Sequence, residues 1–224
     1  MGISATTSLA LDLGATSGRA ILGTLSDGRL SIHEIHRFRN EPVQTAGGLR
    51  WNTALLRAAL EEGLRNAGQH TSRLDSVGVD TWGVDYALLD ANGDLIGEPY
   101  CYRDSRTDGV MQPLIEKLGR SRLYQATGIQ FMQINTLYQL HSTTVDERAA
   151  LFLTMPDLMN YWLTGGVAVC EYSNATTTQM IDCHRRCWSP IIEDAGIPMH
   201  ILPPIVMPGA DLGGLSAKFR QIGP

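Results

Sequence analysis

Lysine is nearly missing from this 224-residue sequence: Lys117 and Lys218 are its only two, and arginine carries the rest of the positive side-chain charge. Charged residues make up 18% and aromatic residues 7%; soluble domains usually carry about 25% charged residues. The formal net charge is −5 and no block of like charges occurs. That removes the electrostatic footprint of a nucleic-acid partner or an anionic membrane surface. No apolar run in the sequence approaches the roughly 20 residues a bilayer-spanning helix needs. Met1 to Ser8 has neither a basic start nor a long apolar stretch, so no secretory signal is visible and a cytoplasmic protein is expected. Of the four cysteines, Cys183 and Cys187 flank His184. No second ligand pair at comparable spacing accompanies them, so a structural zinc site is not expected and the thiols read as reduced.

What remains is a chain with 43% hydrophobic residues, enough for a real core. Leu9 to Leu13 reads as a short buried strand ending at Gly14, Arg19 to Leu25 as a second and Leu30 to Phe38 as a third, with Asp27-Gly28 as a hairpin turn. The opening is therefore an antiparallel meander. A helix follows, capped by Asn52 or Thr53, with Leu55, Leu56, Ala59, Leu60, Leu64 and Ala67 on one face. Glu61 pairs with Arg65 on the other face, and Gly68 stands where a helix commonly stops. Ser76 to Asp80 reads as a buried strand, and Tyr86 to Gly97 as a hairpin turning at Asp90 to Gly93. Val110 to Leu118, Thr136 to His141 and Pro156 to Leu163 read as helices. This order makes an α/β fold with a mixed sheet flanked by helices.

Three constellations carry polar chemistry. Asp12 to Arg19 places a carboxylate at the end of a strand, followed by a tight loop of small residues. Its backbone N–H groups can form an anion nest, and Asp12 can hold a magnesium ion bridging to phosphate oxygens. The same residues also suit a plain hairpin. No GxxxxGK[ST] occurs and no GxGxxG follows a strand, which excludes a Walker loop and argues against a dinucleotide fold. Asp80-Thr81-Trp82-Gly83-Val84-Asp85 again sits at a strand end. It offers an indole face for a sugar, close backbone approach at Gly83, and two carboxylates for hydroxyl groups. A core tryptophan in a hairpin connection fits equally. Tyr102 to Thr107 is either a polar cluster over a ligand cleft or a loop capped by Asp104 or Ser105.

Taken together these stretches resemble a known family. Asp12 to Arg19 is similar to the first phosphate-binding hairpin of the actin, hexokinase and heat-shock ATPase superfamily. With Asp80 to Asp85, Tyr102 to Arg106, Gly128 to Phe131, Asn135 to Leu140, Met155 to Asp157 and Asn174 to Gln179, it resembles the FGGY carbohydrate kinases, in particular those acting on L-rhamnulose. The resemblance runs from about Leu9 to about Asp182 and implies a ribonuclease-H-like domain, the first of two in a longer kinase. It implies ATP and Mg2+ as cofactors and phosphorylation of L-rhamnulose at its 1-hydroxyl. Ala15, Thr16, Ser17, Gly18 and Arg19 would contact the nucleotide phosphates. Asp12 would organise the metal through water. Trp82 and Gly83 would line the sugar pocket, with Phe131 and Gln133 on its opposite wall.

One departure qualifies this. The family's general base is an Asp in a Gly/Ser-His-Asp-Thr motif, and no His-Asp-Thr occurs in this sequence. Asp211 lies instead in a proline- and glycine-rich stretch of the kind that precedes the base. The expectation is a single N-terminal sugar-binding domain over residues 1–224, incomplete at its end, without its nucleotide-holding partner domain and inactive alone. The rival expectations are a kinase for L-fuculose, xylulose or glycerol, and a non-catalytic sugar- or nucleotide-binding module.

Overall fold

In the computed structural model, which describes residues 5–224, three strands form the expected meander: β1 (Thr6–Leu13), β2 (Ser17–Ser26) and β3 (Arg29–Arg39). Met1 to Ser4, where the reading for a secretory signal begins, lie outside the described residues. Asp27 and Gly28 both take positive φ, 50° and 74°, as a two-residue type I′ hairpin requires. A small hairpin of β4 (Val43–Thr45) and β5 (Gly48–Arg50) leads into α1 (Thr53–His70). The Asn52 side chain accepts from Leu55 N at 2.9 Å, the cap that the sequence suggests. β6 (Ser76–Thr81) then runs parallel to β1 and completes a four-stranded mixed sheet in the order β3-β2-β1-β6.

Helix α1 buries Leu56, Leu60, Leu64 and Ala67 against Leu9, Leu11, Leu13, Ala20 and Leu22 of the sheet. Three expectations for it fail. Leu55 lies outside the buried stripe and is 37% exposed. The helix continues through Gly68 to a cap at Thr71. Arg65 pairs with Glu62 one turn back, because Glu61 turns to Lys218 Nζ at 2.5 Å. β6 also differs from expectation. It is an edge strand whose Ser76, Gly78 and Asp80 are exposed, since helices cover only one face of this sheet. The open face carries Leu25, Leu30 and Ile32 near the β2–β3 turn, the latter two about 70% exposed.

The remainder builds a second core. β7 (Tyr86–Leu89) enters the expected hairpin, with Asp90 N donating to Asp94 O at 2.9 Å and Ile96 N to Leu88 O at 2.8 Å. Then come α2 (Met111–Leu118), α3 (Arg120–Thr127), α4 (Thr136–His141), and β8 (Leu151–Thr154), which pairs antiparallel with β7. Helix α5 (Met155–Thr164) follows directly and turns Leu158, Met159 and Leu163 into the sheet core. Short elements finish the chain: β9 (Cys170–Glu171), α6 (Tyr172–Thr176), β10 (Ile181–Asp182), β11 (Cys187–Trp188), α7 (Ile191–Asp194), β12 (Ile205–Val206) and α8 (Ala217–Arg220). Leu114, Leu123, Leu137, Tyr138, Phe152, Met180 and Ile192 form the heart of this helical core. Among the described residues no helix is long and apolar enough to cross a membrane.

Asp157 in the first turn of α5 is buried. It accepts from Thr154 Oγ1 and, at 3.1 Å, from Glu171 N. Burial pushes its pKa up to about 6 against these hydrogen bonds. A carboxyl whose folded pKa is raised binds a proton more tightly in the folded chain, so it favours folding at low pH. That contribution is lost as pH rises from the ordinary value, roughly 4, to about 6. Asp157→Asn keeps the shape, and the Thr154 hydroxyl can turn to accept. The variant is expected to gain on the wild type by up to about 3 kcal/mol between pH 4 and pH 7, read as the difference between their urea midpoints at the two pH values.

Candidate active site

The first expected loop is a tight connection between β1 and β2. Gly14 N donates to Ser17 O at 3.0 Å, and the N–H groups of Ala15 and Thr16 at the tip have no protein acceptor among the described residues. These two amides, with the Thr16 and Ser17 hydroxyls, make the donor set that an anion needs. The glycines work by close packing rather than left-handed backbone. A Cβ on Gly14 would lie 2.7 Å from Ser17 O, and one on Gly18 would strike the Phe38 ring. Asn40, which the sequence did not single out, locks the loop from beneath. It is fully buried, its Nδ2 donates to Gly14 O at 2.8 Å and its backbone N to Thr16 O at 3.0 Å.

Asp12 is in register with Arg19 on one side and Asp80 on the other. Arg19 is ion-paired with Asp12. Paired residues on adjacent strands present their side chains on one face about 4.8 Å apart, so Asp12 and Asp80 form a carboxylate pair below the loop. Asp80 therefore belongs beside Asp12, while Asp85 is buried at the other end of its loop. No group of three His, Cys, Asp or Glu among the described residues could hold a metal ion. Two carboxylates suit a magnesium ion that takes its remaining ligands from water and phosphate. A cleft of about 590 Å³ lies alongside, lined by Thr16, Ser17, Arg37, Phe38, Arg39 and Glu41.

The second expected loop, Trp82 to Asp85, is held from all sides. Val84 has φ of 68°, a conformation that costs a β-branched residue about 1–3 kcal/mol. Val84 N donates to Thr177 Oγ1 at 3.1 Å, and Val84 O accepts from Thr136 Oγ1 at 2.6 Å and Gln139 Nε2 at 3.2 Å. Gly83 lies so close to Thr177 that a Cβ would fall 3.0 Å from its Oγ1 and 3.1 Å from its Cγ2. Trp82 packs against Trp51, with ring centres 4.2 Å apart. Both indole N–H groups reach Asp85 Oδ2, at 2.9 Å and 2.6 Å.

The sequence pattern of the FGGY family of carbohydrate kinases, N-terminal domain, matches residues 7–222. The chain belongs to that family. A rhamnulokinase of Mannheimia succiniciproducens is 44% identical over 212 residues, 91% of this chain and 44% of that protein. One of Bacteroides thetaiotaomicron is 36% identical over 219 residues, 95% of this chain and 45% of that one. The chain thus spans about half the length of these curated relatives. Among solved structures, a gluconate kinase from Lactobacillus acidophilus superposes with a TM-score of 0.86 at 16% identity, over 98% of this chain and 45% of that one. A xylulose kinase from Rhodospirillum rubrum gives 0.81 at 22%, over 96% and 46%. The fold is that of the N-terminal half of the FGGY kinases, the actin-like ATPase fold, as the sequence led us to expect.

Within this FGGY domain the other expected residues divide. Phe131 lines a cleft of about 860 Å³ with Arg120, Ser121, Tyr124, Gly128 and Gln130, and the Arg120 guanidinium lies 4.4 Å from its ring centre. Gln133 Nε2 donates to Asp108 Oδ1 at 3.3 Å. Their loop is pinned by Asn135, whose Nδ2 donates to Gln130 O at 2.9 Å and Gln179 Oε1 at 3.1 Å. Asp104 caps the turn Ser105–Thr107, accepting from Arg106 N at 3.0 Å and from Leu49 N at 2.6 Å. Asp211 accepts from Gly213 N at 2.8 Å in an exposed turn. Thr136, Gln139 and Thr177 entered the sequence analysis only inside longer motifs. The structure shows what they do there: they clamp the Trp82–Asp85 loop. Gly83→Ala is expected to push Thr177 aside at a cost of about 1–3 kcal/mol, and Gly83→Ala/Thr177→Ser, which removes the crowded methyl, to regain part of it in urea unfolding.

Proposed function

We propose that this chain is the sugar-binding part of an ATP- and magnesium-dependent kinase that phosphorylates L-rhamnulose on its 1-hydroxyl. The observation that carries the reading is the 44% identity to a rhamnulokinase over 91% of the chain, beside a family match over residues 7–222 that takes in both strand-end loops. In this proposal the Ala15 to Arg19 hairpin receives the nucleotide phosphates on its open N–H groups. Asp12, with Asp80 beside it, orients the waters of a magnesium ion. That ion would supply charge neutralisation as the phosphoryl group moves. Arg19, ion-paired with Asp12, holds the carboxylate in place and turns toward phosphate when nucleotide arrives. Trp82 and Gly83 form one sugar wall; Phe131 and Gln133 belong to the other. The general base and the second nucleotide wall lie in the half of the relatives that this chain does not span. The setting is cytoplasmic.

Phosphoryl transfer depends on positioning and charge stabilisation from both walls. The 224-residue chain is therefore expected to show no ATP-dependent turnover of L-rhamnulose in a coupled ADP assay; steady magnesium-dependent turnover would overturn the reading. In a protein that also carries the His-Asp-Thr segment, Asp12→Ala should lower kcat by about 100-fold or more while leaving the sugar KM within a few-fold. An NMR titration of the chain tests the sugar assignment. L-Rhamnulose should shift the Gly83 and Trp82 signals more than L-fuculose or glycerol does, and equal responses to all three would sink it.

A further inference from the structure

Of the four hydrogen bonds to Asp85, one comes from its own loop and three from distant parts of the chain. Oδ2 accepts from Trp51 Nε1 at 2.6 Å, Trp82 Nε1 at 2.9 Å and Tyr102 N at 3.1 Å, and Oδ1 accepts from Gln139 Nε2 at 3.0 Å. Indole and backbone N–H groups can only donate. The Gln139 amide is equally fixed. Its Oε1 accepts from the Arg106 guanidinium, and its Nε2 faces the carbonyls of Ile134 at 2.7 Å and Val84 at 3.2 Å. A flipped amide would set oxygen against three acceptors and NH₂ against a cation. Position 85 therefore demands an acceptor on both sides, which asparagine cannot supply. Burial raises the pKa of Asp85, and these same donors oppose the rise.

A buried carboxylate is a poor device for stability alone, because well-packed apolar residues fill such a place at lower cost. Here its donors converge on the one loop that holds Val84 at φ 68° and Gly83 against Thr177. We propose that Asp85 is the positioning residue of the sugar loop: through Trp82 and Gln139 it fixes the indole and the Gly83 backbone in the geometry that accepts the sugar. This rests on the reading of Trp82 and Gly83 as sugar wall. It adds that the selectivity of that wall is set by a residue outside the ligand's reach.

The test uses isotope-labelled chain. In the wild type, the Trp51 and Trp82 indole N–H groups and the Val84 amide should exchange slowly. In Asp85→Asn, with far-UV circular dichroism and cooperative unfolding retained, these groups should exchange about 10- to 100-fold faster, the range for a lost hydrogen bond to a charged group. The Gly83 response to L-rhamnulose should need about tenfold more sugar. A folded Asp85→Asn with unchanged exchange and an unchanged titration overturns the proposal. If Asp85→Asn does not fold, Trp82→Phe decides: it keeps an aromatic face but cuts the tie. Weakened sugar response with faster Val84 exchange supports positioning, and wild-type behaviour in both overturns it. Where both single variants fold, the double variant should cost less than the sum of the two, because Asp85→Asn then loses only its ties other than Trp82, whereas full additivity would show that the aspartate does not act through Trp82. A wild type that ignores L-rhamnulose while Asp85→Asn loses Val84 protection would sink the sugar reading and leave the loop holder standing.

Discussion

The Asp85 carboxylate joins the two halves of this molecule. Trp82 packs against the sheet core formed with α1 and α5, and Gln139 lies on α4, whose Leu137, Tyr138 and Leu140 belong to the helical core. Trp51 stands immediately before the cap of α1, and Tyr102 follows the strip that bridges back to Arg50. One buried anion with donors from residues 51, 82, 102 and 139 thus constrains how sheet and helices sit together. Arg106 reaches this carboxylate only through the Gln139 amide. Arg106 donates to Gln139, lies across the Tyr100 ring at 3.8 Å, and sets Nη1 3.7 Å from Asp104 Oδ1, while its Nε and Nη1 are buried with no hydrogen bond among the described residues. Such a polar network is costly unless nearly complete, and this one is placed where a strained backbone has to be held.

The loop proposed for phosphate follows a different logic. Most of its parts lie near the surface: Asp12 and Arg19 are partly exposed and ion-paired and Thr16 is exposed, while Gly18 and Asn40 are buried. An exposed pair of this kind contributes little to stability, which leaves both partners free to change partners when ligand charge arrives. The loop proposed for the sugar is preorganised and the loop proposed for phosphate is open. That difference suits the proposed function, in which a sugar would be selected by shape while a flexible, highly charged nucleotide would be gripped by donors that otherwise face water.

Much of this was legible before any coordinates. The meander, the Asp27-Gly28 turn, the Asn52 cap and the hairpin at Asp90 each follow from a local rule, and each is present. The failures are also instructive. Leu55 fits the apolar stripe in period yet is exposed, because the stripe facing the sheet is narrower than the apolar face of the helix. Gly68 carries a stop signal that tertiary packing overrides. Ser76 to Asp80 looks buried, but alternation along β6 reports a strand covered on one face only. Asp80 and Asp85 read as a pair because they are five residues apart; strand register sends Asp80 to Asp12 and the left-handed turn at Val84 sends Asp85 inward.

The sequence by itself determined the opening meander, the first helix, the two strand-end loops and the family, because turn chemistry, hydrophobic period and short motifs are local and survive without neighbours. Only the tertiary structure decided what Asp85, Gln139, Thr177 and Asn40 do. Their roles depend on hydrogen bonds across separations of 26 to 93 residues, and no periodicity or spacing in a chain records which distant donor will meet a buried acceptor.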